Sequence, residues 1–298
     1  MSSSTDYDDA STPLAREIAD LNRRRRAIAK QQFPLPAKTR VFTVSNQKGG
    51  VGKTTTTVNL AAALAHGGAR VLVIDLDPQG NASTALGVNH QAEVASIYDV
   101  IVDEAPIADT VQRSPESETL WCVPATIHLA GAEIELVSLV AREQRLRTAL
   151  DQYLESLDEP YHYVFIDCPP SLGLLTINAF VAAQEVLIPI QCEYYALEGL
   201  SQLLRNIELI ERHLNPKLRV STILLTMYDS RTNLSNQVAA DVREHFGDQV
   251  LNAVIPRSVR VSEAPSYGQS VVAYDVNSTG SLSYLEAAAE IAARGAQH

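Results

Sequence analysis

The sequence has no long hydrophobic run, few cysteines and a shortage of positive charge. No apolar stretch reaches the ~18 residues that a membrane-spanning helix needs, and the acidic, polar start is unlike a secretory signal. Three widely spaced cysteines favour reduced core thiols in a cytoplasmic protein over a disulfide framework or a zinc site. Lys and Arg number 24 against 35 Asp and Glu, a net charge of −11. Nucleic-acid binding would therefore require a local basic patch, or one created by assembly.

Two regions of different character divide the 298 residues. Residues 1–38 pass from a Ser/Asp-rich lead through a helical pattern with the basic run Arg23–Arg26 to Pro34 and Pro36. This predicts a flexible N-terminal extension with a disordered tip, one short basic helix and a linker. The run is typical of a solvated face or a sorting contact, with DNA or a partner such as a polar scaffold protein as the lesser alternative. Residues 39–298 are predicted to form one domain.

The second region alternates strand patterns with helical patterns. Continuously apolar runs, typical of parallel strands covered on both faces, occur in RVFTVS, ARVLVIDLD, TLWCVPA, YHYVFIDCPP, EVLIPIQC and RVSTILLTMYD. Helices are predicted in KTTTTVNLAAALAHGG and at Leu172–Ala183, Leu197–His213 and Asn236–Phe246. The alternation predicts an α/β fold with a doubly wound, mostly parallel sheet and helices on both faces.

A glycine-rich loop separates the first strand of this domain from its first helix. The stretch SNQKGGVGKTTTT, Ser45–Thr57, departs from the phosphate-loop pattern G-x-x-x-x-G-K-[ST] because Gln47 occupies the first glycine position. Its backbone N–H groups, at the positive end of a helix, would cradle an anion. Lys53 would reach the β- and γ-phosphates, and the Thr54 hydroxyl would hold Mg²⁺. The predicted loop contacts are Lys48, Gly49, Gly50, Val51, Gly52, Lys53, Thr54 and Thr55.

Aspartates end two of the strand patterns, where α/β proteins bind their ligands. Asp77 is placed to orient a water for attack on the γ-phosphate or to hold the metal's water shell, although a turn-forming Asp before proline fits the same spacing. Asp167 could bind the water shell of Mg²⁺ or the Thr54 hydroxyl, or cap its strand. Asp75 is expected to support Asp77. The predicted metal-binding residues are Thr54, Asp77 and Asp167, which indicates Mg-dependent nucleotide hydrolysis.

The loop KGGVGKTT resembles the deviant Walker A motif of the ParA/MinD family of dimerising P-loop ATPases. In that family the first lysine crosses to the partner subunit's ATP, so the resemblance implies that Lys48 couples ATP binding to homodimer formation. DLDPQGN resembles the motif whose second aspartate supports hydrolysis, which implies that role for Asp77. Pro256 resembles the position that packs on adenine. The implied cofactors are ATP and Mg²⁺, and the implied catalytic residues are Lys48, Lys53 and Asp77.

Three long strings resemble the chromosome-partitioning branch of that family: CEYYALEGLSQLL, TMYDSRTNLSNQV and VIPRSVRVSEAPSYGQSV. The resemblance implies slow ATP hydrolysis, an ATP-bound dimer that binds double-stranded DNA without sequence preference, and release by a ParB-type centromere-binding protein. Nucleoid association is expected. Arginines and lysines late in the chain, few with acidic sequence neighbours, could supply salt-sensitive contacts to the DNA backbone. The candidates are Arg231 and Arg260 first, then Arg257, Arg219 and Lys217, with Arg205 nearby.

Three alternatives stay open. A MinD-like membrane-positioned ATPase needs a basic, amphipathic C-terminal helix, whereas SLSYLEAAAEIAARGAQH is Ala-rich and acidic. An iron–sulfur reductase of the nitrogenase iron-protein type shares the loop but needs two well-placed cysteines per subunit, and Cys122, Cys168 and Cys192 fall in or beside strand patterns. A non-catalytic scaffold that binds ATP and only switches would have no need of Asp77 and Asp167.

Overall fold

The computed structural model of the chain describes residues 13–194 and 196–296; the predicted disordered tip lies outside them. Within these residues eight strands form a single sheet. Their bounds are β1 (Arg40–Val44), β2 (Val71–Asp75), β3 (Gln112–Arg113), β4 (Leu120–Val123), β5 (Tyr163–Asp167), β6 (Glu185–Gln191), β7 (Arg219–Tyr228) and β8 (Val250–Pro256).

The sheet has the order β3-β4-β2-β5-β1-β6-β7-β8. Neighbouring strands pair in parallel, and the short edge strand β3 pairs with β4 in the antiparallel sense. The chain moves from β1 to one side through β2 and later to the other side through β6. The ends of β1 therefore lie at a topological switch point, where open α/β sheets bind ligands. The predicted doubly wound, mostly parallel sheet is confirmed, although β3 and β8 lie outside the predicted patterns.

Helices cover both faces of the sheet. Their bounds are α1 (Pro13–Ile28), α2 (Lys53–His66), α3 (Asn81–Ala85), α4 (Ile97–Ile101), α5 (Leu129–Leu136), α6 (Arg145–Glu155), α7 (Leu174–Ala182), α8 (Ala196–His213), α9 (Asn233–Phe246), α10 (Val259–Glu263), α11 (Val271–Tyr274) and α12 (Thr279–Gly295). The predicted helix at 236–246 begins three residues earlier, because the hydroxyl of Thr232 accepts the Ser235 N–H at 3.3 Å and caps the helix there.

Each face of the sheet has its own hydrophobic core. Helices α4 to α9 pack on one face, and α2, α3, α11 and α12 pack on the other. Strand β2 is buried at every position, as expected for a strand covered on both sides. Helix α12 is the C-terminal helix whose composition predicts packing, and its apolar side is buried against α2 and β8. Among the described residues, no helix combines the length and the apolar character needed to cross a bilayer.

The N-terminal basic helix, α1, lies against α12. Arg24 donates to both carboxylate oxygens of Glu286 at 2.9 and 2.7 Å, and Arg25 donates to the carbonyl oxygen of Asn277. Arg23 and Arg26 are exposed. Arg23 and Arg26 therefore form a solvated basic face, whereas Arg24 and Arg25 contact the domain.

Candidate nucleotide-binding site

The phosphate loop connects β1 to α2 at the switch point. Gly50 and Gly52 adopt left-handed conformations with φ of 75° and 88°, which glycine reaches without the strain that a Cβ imposes. Gly52 precedes α2 and offers no side-chain cap, so the first N–H groups of the helix stay open toward the loop. Val51 is buried and its carbonyl accepts the Thr226 hydroxyl at 2.9 Å, which ties the loop to β7. The loop is thus a fixed concave row of donors at a helix N-terminus.

Lys53 lies inside this loop. Its side chain is buried, and its Nζ donates to the carbonyl oxygen of Lys48 at 3.3 Å, so the loop curls around the ammonium group. Burial lowers the pKa of Lys53, and the negative charge of Asp167 opposes that shift. A buried ammonium that is incompletely paired favours the arrival of an anion, as the predicted phosphate contact requires.

Two carboxylates lie side by side at the carboxyl ends of adjacent strands. Asp75 of β2 and Asp167 of β5 are register partners, and both are fully buried. Asp75 accepts from the backbone N–H and hydroxyl of Ser83 at 2.8 and 2.7 Å and from the Asp77 N–H at 3.1 Å. Burial raises the pKa of Asp167, and the charge of Asp75 raises it further, while the hydroxyls of Thr54 and Thr57 oppose the rise. The pair therefore attracts positive charge.

Asp167 has one satisfied oxygen and one orphan. Its Oδ1 accepts the Thr57 hydroxyl at 3.0 Å, whereas its Oδ2 is buried without a hydrogen-bond partner among the described residues. Thr57 also donates to the carbonyl oxygen of Lys53, at 3.1 Å, one turn back. A buried, unpaired carboxylate oxygen beside a phosphate loop suits Mg²⁺ or one of its waters. No group of three or more His, Cys, Asp or Glu that could hold a metal occurs in the described chain, and Mg²⁺ bound through phosphates needs no such group.

Asp77 follows β2 and points into a turn. Its Oδ1 accepts the Gln79 N–H at 3.0 Å, and its carbonyl accepts the Gly80 N–H at 2.9 Å. This is the turn-forming arrangement that the sequence leaves open beside the catalytic one. The side chain is only half-buried. A catalytic role for Asp77 stays a prediction.

A cavity of about 230 Å³ adjoins the loop and contains Pro256. Gly52 and Thr55 of the loop line it together with Pro256, and Tyr284 of α12 forms another wall. Met227, which also lines it, has a strained φ of 50°. That Pro256 packs against a nucleotide base stays a prediction.

Lys48 lies on the outer lip of the loop and forms an ion pair with Glu193. The two side chains keep 37% and 38% of their surface exposed, so solvent reaches the pair. The Lys48 N–H donates to Asn46 Oδ1 at 3.1 Å, which fixes the backbone and leaves the side chain its freedom. In this single chain the Lys48 ammonium is therefore held by Glu193, and any contact with a second subunit would break that pair.

The five predicted DNA-binding residues form two groups. Arg231 follows β7, and Arg257 and Arg260 follow β8, at the edge of the sheet that carries the phosphate loop. Lys217 and Arg219 lie at the start of β7, about 33 Å away along a ten-residue strand. Acidic residues lie beside members of both groups, some from distant segments and one, Glu263, from the same helix as Arg260. Arg219 lies 3.9 Å from Glu185, and Arg260 lies 3.2 Å from Glu263 and 3.6 Å from Asp275.

Arg231 is highly exposed in the turn after β7. Its side chain is 88% exposed and forms a fork with Asp229, with donor–acceptor distances of 2.8 Å. The hydrogen bond from Arg231 lowers the pKa of Asp229 to about 2. Arg257 also acts on Asp229 electrostatically, which brings these two arginines into one neighbourhood.

The three cysteines lie in the core. Cys122 and Cys168 are fully buried, Cys192 is nearly so, and Cys168 lies 3.0 Å from the Thr43 hydroxyl. Burial raises the pKa of all three thiols. Buried thiols in these positions do not form a pair of surface ligands, which disfavours the iron–sulfur alternative.

Three residues of the site lie outside the sequence predictions: Thr57, Glu193 and Tyr284. The run of four threonines offers several hydroxyls, and helical spacing from Lys53 to Thr57 could have indicated the one that faces inward. Glu193 is 145 positions from Lys48 and Tyr284 is 228 from Thr56. No local pattern connects such pairs.

Comparison with known proteins agrees with this geometry. A family model described as an AAA domain matches residues 39–220. The sporulation initiation inhibitor protein Soj of Bacillus subtilis is 53% identical over 256 residues, covering 86% of this chain and 99% of the relative. The chromosome partitioning protein ParA of Caulobacter vibrioides is 53% identical, with 86% and 94% covered.

A solved structure extends the comparison to bound ligands. The cobyrinic acid a,c-diamide synthase of Mycobacterium smegmatis, determined with bound ADP and magnesium, is 40% identical. Its TM-score is 0.68, with 80% of this chain and 91% of that chain covered. The sequence resemblance and the predicted fold are confirmed. This chain belongs to the ParA/MinD family of P-loop ATPases, within the group that contains the Soj and ParA chromosome-partitioning proteins.

Proposed function

We propose that this protein is an ATP-dependent chromosome- or plasmid-partitioning ATPase. It forms a homodimer around two ATP molecules, binds DNA non-specifically in that state, and releases DNA when a ParB-type partner stimulates hydrolysis. The observation that carries the proposal is the pair of lysines in one loop. Lys53 is buried within the loop, whereas Lys48 lies on its outer lip and is held by a replaceable ion pair.

In this proposal several residues serve nucleotide binding. The loop N–H groups and Lys53 hold the phosphates, and the base enters the cavity beside Pro256. Thr54 and the free oxygen of Asp167 hold Mg²⁺ and its waters. The metal, when bound, neutralises charge on the β- and γ-phosphates. Asp77 orients the attacking water, and its turn-bound position in this single chain is consistent with slow turnover until a partner binds.

The DNA-binding surface comprises Arg231, Arg257 and Arg260 at the loop edge of the sheet. Three arginines in one subunit, two of them paired with carboxylates, would give weak binding, and a dimer doubles their number. Because each neutralised phosphate adds to the salt dependence, ATP-driven dimerisation would turn weak binding into useful affinity. This reconciles DNA binding with the net charge of −11 and places the ATP-bound protein on the nucleoid.

The test is retardation of a non-specific DNA duplex at low salt with ATP, ADP or no nucleotide. We expect wild type to bind DNA with ATP and Mg²⁺ and not with ADP or without nucleotide. Lys48→Ala should lose this binding. Arg231→Ala should weaken binding and reduce its salt dependence, while Arg219→Ala, at the opposite end of β7, is the matched control. Wild type that binds equally without nucleotide would refute the switch. Wild type that does not bind DNA would refute partitioning, and vesicle flotation would then test the membrane-positioning alternative.

A further inference from the structure

The N-terminal segment contacts the two helices that enclose the base cavity. Arg24 of α1 donates to Glu286 through two nitrogens and to the Ser283 hydroxyl at 3.2 Å. The pair is half-buried, with side-chain exposures of 34% and 26%. Nine residues later, Phe33 covers the end of α2. A Cβ at Gly67 would lie 2.5 Å from its ring, so the ring rests directly on the backbone.

The residues of α12 that Arg24 contacts flank in sequence the residue of α12 that lines the cavity. Tyr284 sits between the two partners of Arg24 in sequence, is 1% exposed, and lines the base cavity. Helical geometry places it nearly opposite Glu286 and about 100° from Ser283 around α12, since successive side chains are separated by about 100°. The Tyr284 hydroxyl lies 3.5 Å from that of Thr56 in α2. Helix α12 is therefore held between α1 on one side and the phosphate-loop helix on the other.

We propose that the segment from Ile18 to Pro34, the N-terminal brace, positions α12 and α2 around the base and so sets nucleotide affinity. Ile28 and Phe33 of the brace pack against the same hydrophobic core as α2 and α12, so the contact is apolar as well as ionic. Nucleotide binding and docking of the brace are coupled, and the coupling is reciprocal. This inference rests on the proposed nucleotide site and adds residues remote from it that position its walls.

The first test measures affinity for a fluorescent ADP analogue with Mg²⁺ in the full-length chain. Arg24→Ala and Glu286→Gln should each weaken binding about fivefold, at the low end of allosteric couplings because the ion pair is partly exposed. Arg23→Ala is the matched control, because Arg23 is exposed and pairs with Asp20 of its own helix. Phe33→Ala should weaken binding as well, which would show that the contact on α2 contributes.

The second test uses the reciprocal effect. Trypsin cleaves after arginine, and α1 contains the run Arg23–Arg26, so its cleavage rate reports undocking of the brace. Saturating Mg-ADP should slow cleavage in this run about fivefold while leaving cleavage after Arg212, on the opposite face of the sheet, unchanged. In Glu286→Gln, which keeps all four arginines, cleavage should be faster without nucleotide.

The outcomes separate the two ideas. Wild type that does not bind the ADP analogue would refute the proposed nucleotide site itself. Wild type that binds, together with faster trypsin cleavage but unchanged affinity in Glu286→Gln, would refute the brace and leave the site intact. Circular dichroism of each variant identifies any loss of the fold, and a variant that has lost it is replaced by the milder Arg24→Lys, for which a smaller loss of affinity is expected.

Discussion

Replacing Glu193 by Gln should strengthen ATP-dependent self-association. In the single chain Glu193 holds the Lys48 ammonium, and the proposed dimer moves that ammonium to the partner's phosphate. The ion pair therefore opposes dimerisation, and two such pairs break for each dimer formed. Exposed pairs contribute about 0.2–1 kcal/mol each. Two pairs correspond to about 0.4–2 kcal/mol, or about a 2- to 30-fold tighter dimer.

Sedimentation velocity over a concentration series, with Mg²⁺ and a non-hydrolysable ATP analogue, would measure this change. The matched control is Glu159→Gln, which removes an ion pair with Arg70. This pair lies at the amino ends of β2 and β5, whereas the phosphate loop lies at the carboxyl ends of the strands. In a Lys48→Ala background the substitution at Glu193 should have no effect, because its partner is gone. A dimer that is unchanged or weaker in Glu193→Gln would refute the idea that this ion pair competes with the partner's phosphate.

Three further predictions concern stability and are checked by chemical denaturation. Thr57→Val should lower the free energy of unfolding by about 1–3 kcal/mol, because it removes one of the two threonine hydroxyls that interact with the buried Asp167 carboxylate. Thr57→Ser should retain most of that free energy, and equal values for the two variants would contradict this. Because burial raises the pKa of Asp167, the free energy of unfolding of wild type should fall as pH rises above the usual aspartate range. Asp167→Asn should flatten that pH dependence. Parallel pH profiles for the two proteins would exclude Asp167 as its source. Gly280→Ala should cost about 1–3 kcal/mol, since its Cβ would lie 2.4 Å from Val261 Cγ2, and an unchanged midpoint would show that the contact relaxes freely.

Much of the fold could be predicted because its determinants are local. The apolar run of β2 and the glycine loop identify their own structures, since strand burial and positive φ depend on a few consecutive residues. Strand β8 lies outside the predictions, because its sequence, VLNAVIP, has an exposed Asn in the middle and ends in proline at the sheet edge. Edge strands carry a weaker pattern because one side of them stays solvated.

The residues of the candidate site also separate into those that a local pattern indicates and those that depend on distant contacts. The phosphate loop and Asp167 follow from motif and context, whereas the partner of Lys48 comes from a distant segment. The charged residues show this most clearly. Arg219 and Arg260 have few acidic neighbours in sequence, yet the fold places Glu185 and Asp275 beside them. Electrostatic neighbourhoods depend on tertiary contacts, which single-sequence patterns do not encode.

The central placement of α12 has a consequence for how the protein is made. This helix follows every other element of the described chain, yet it packs against β8 and α2 and lines the cavity with Tyr284. A nascent chain carries its complete phosphate loop long before α12 leaves the ribosome. Because domains fold as units during synthesis, the proposed ATP pocket is complete only after α12 has been made. A chain truncated before α12 would therefore lack Tyr284 and should bind nucleotide poorly.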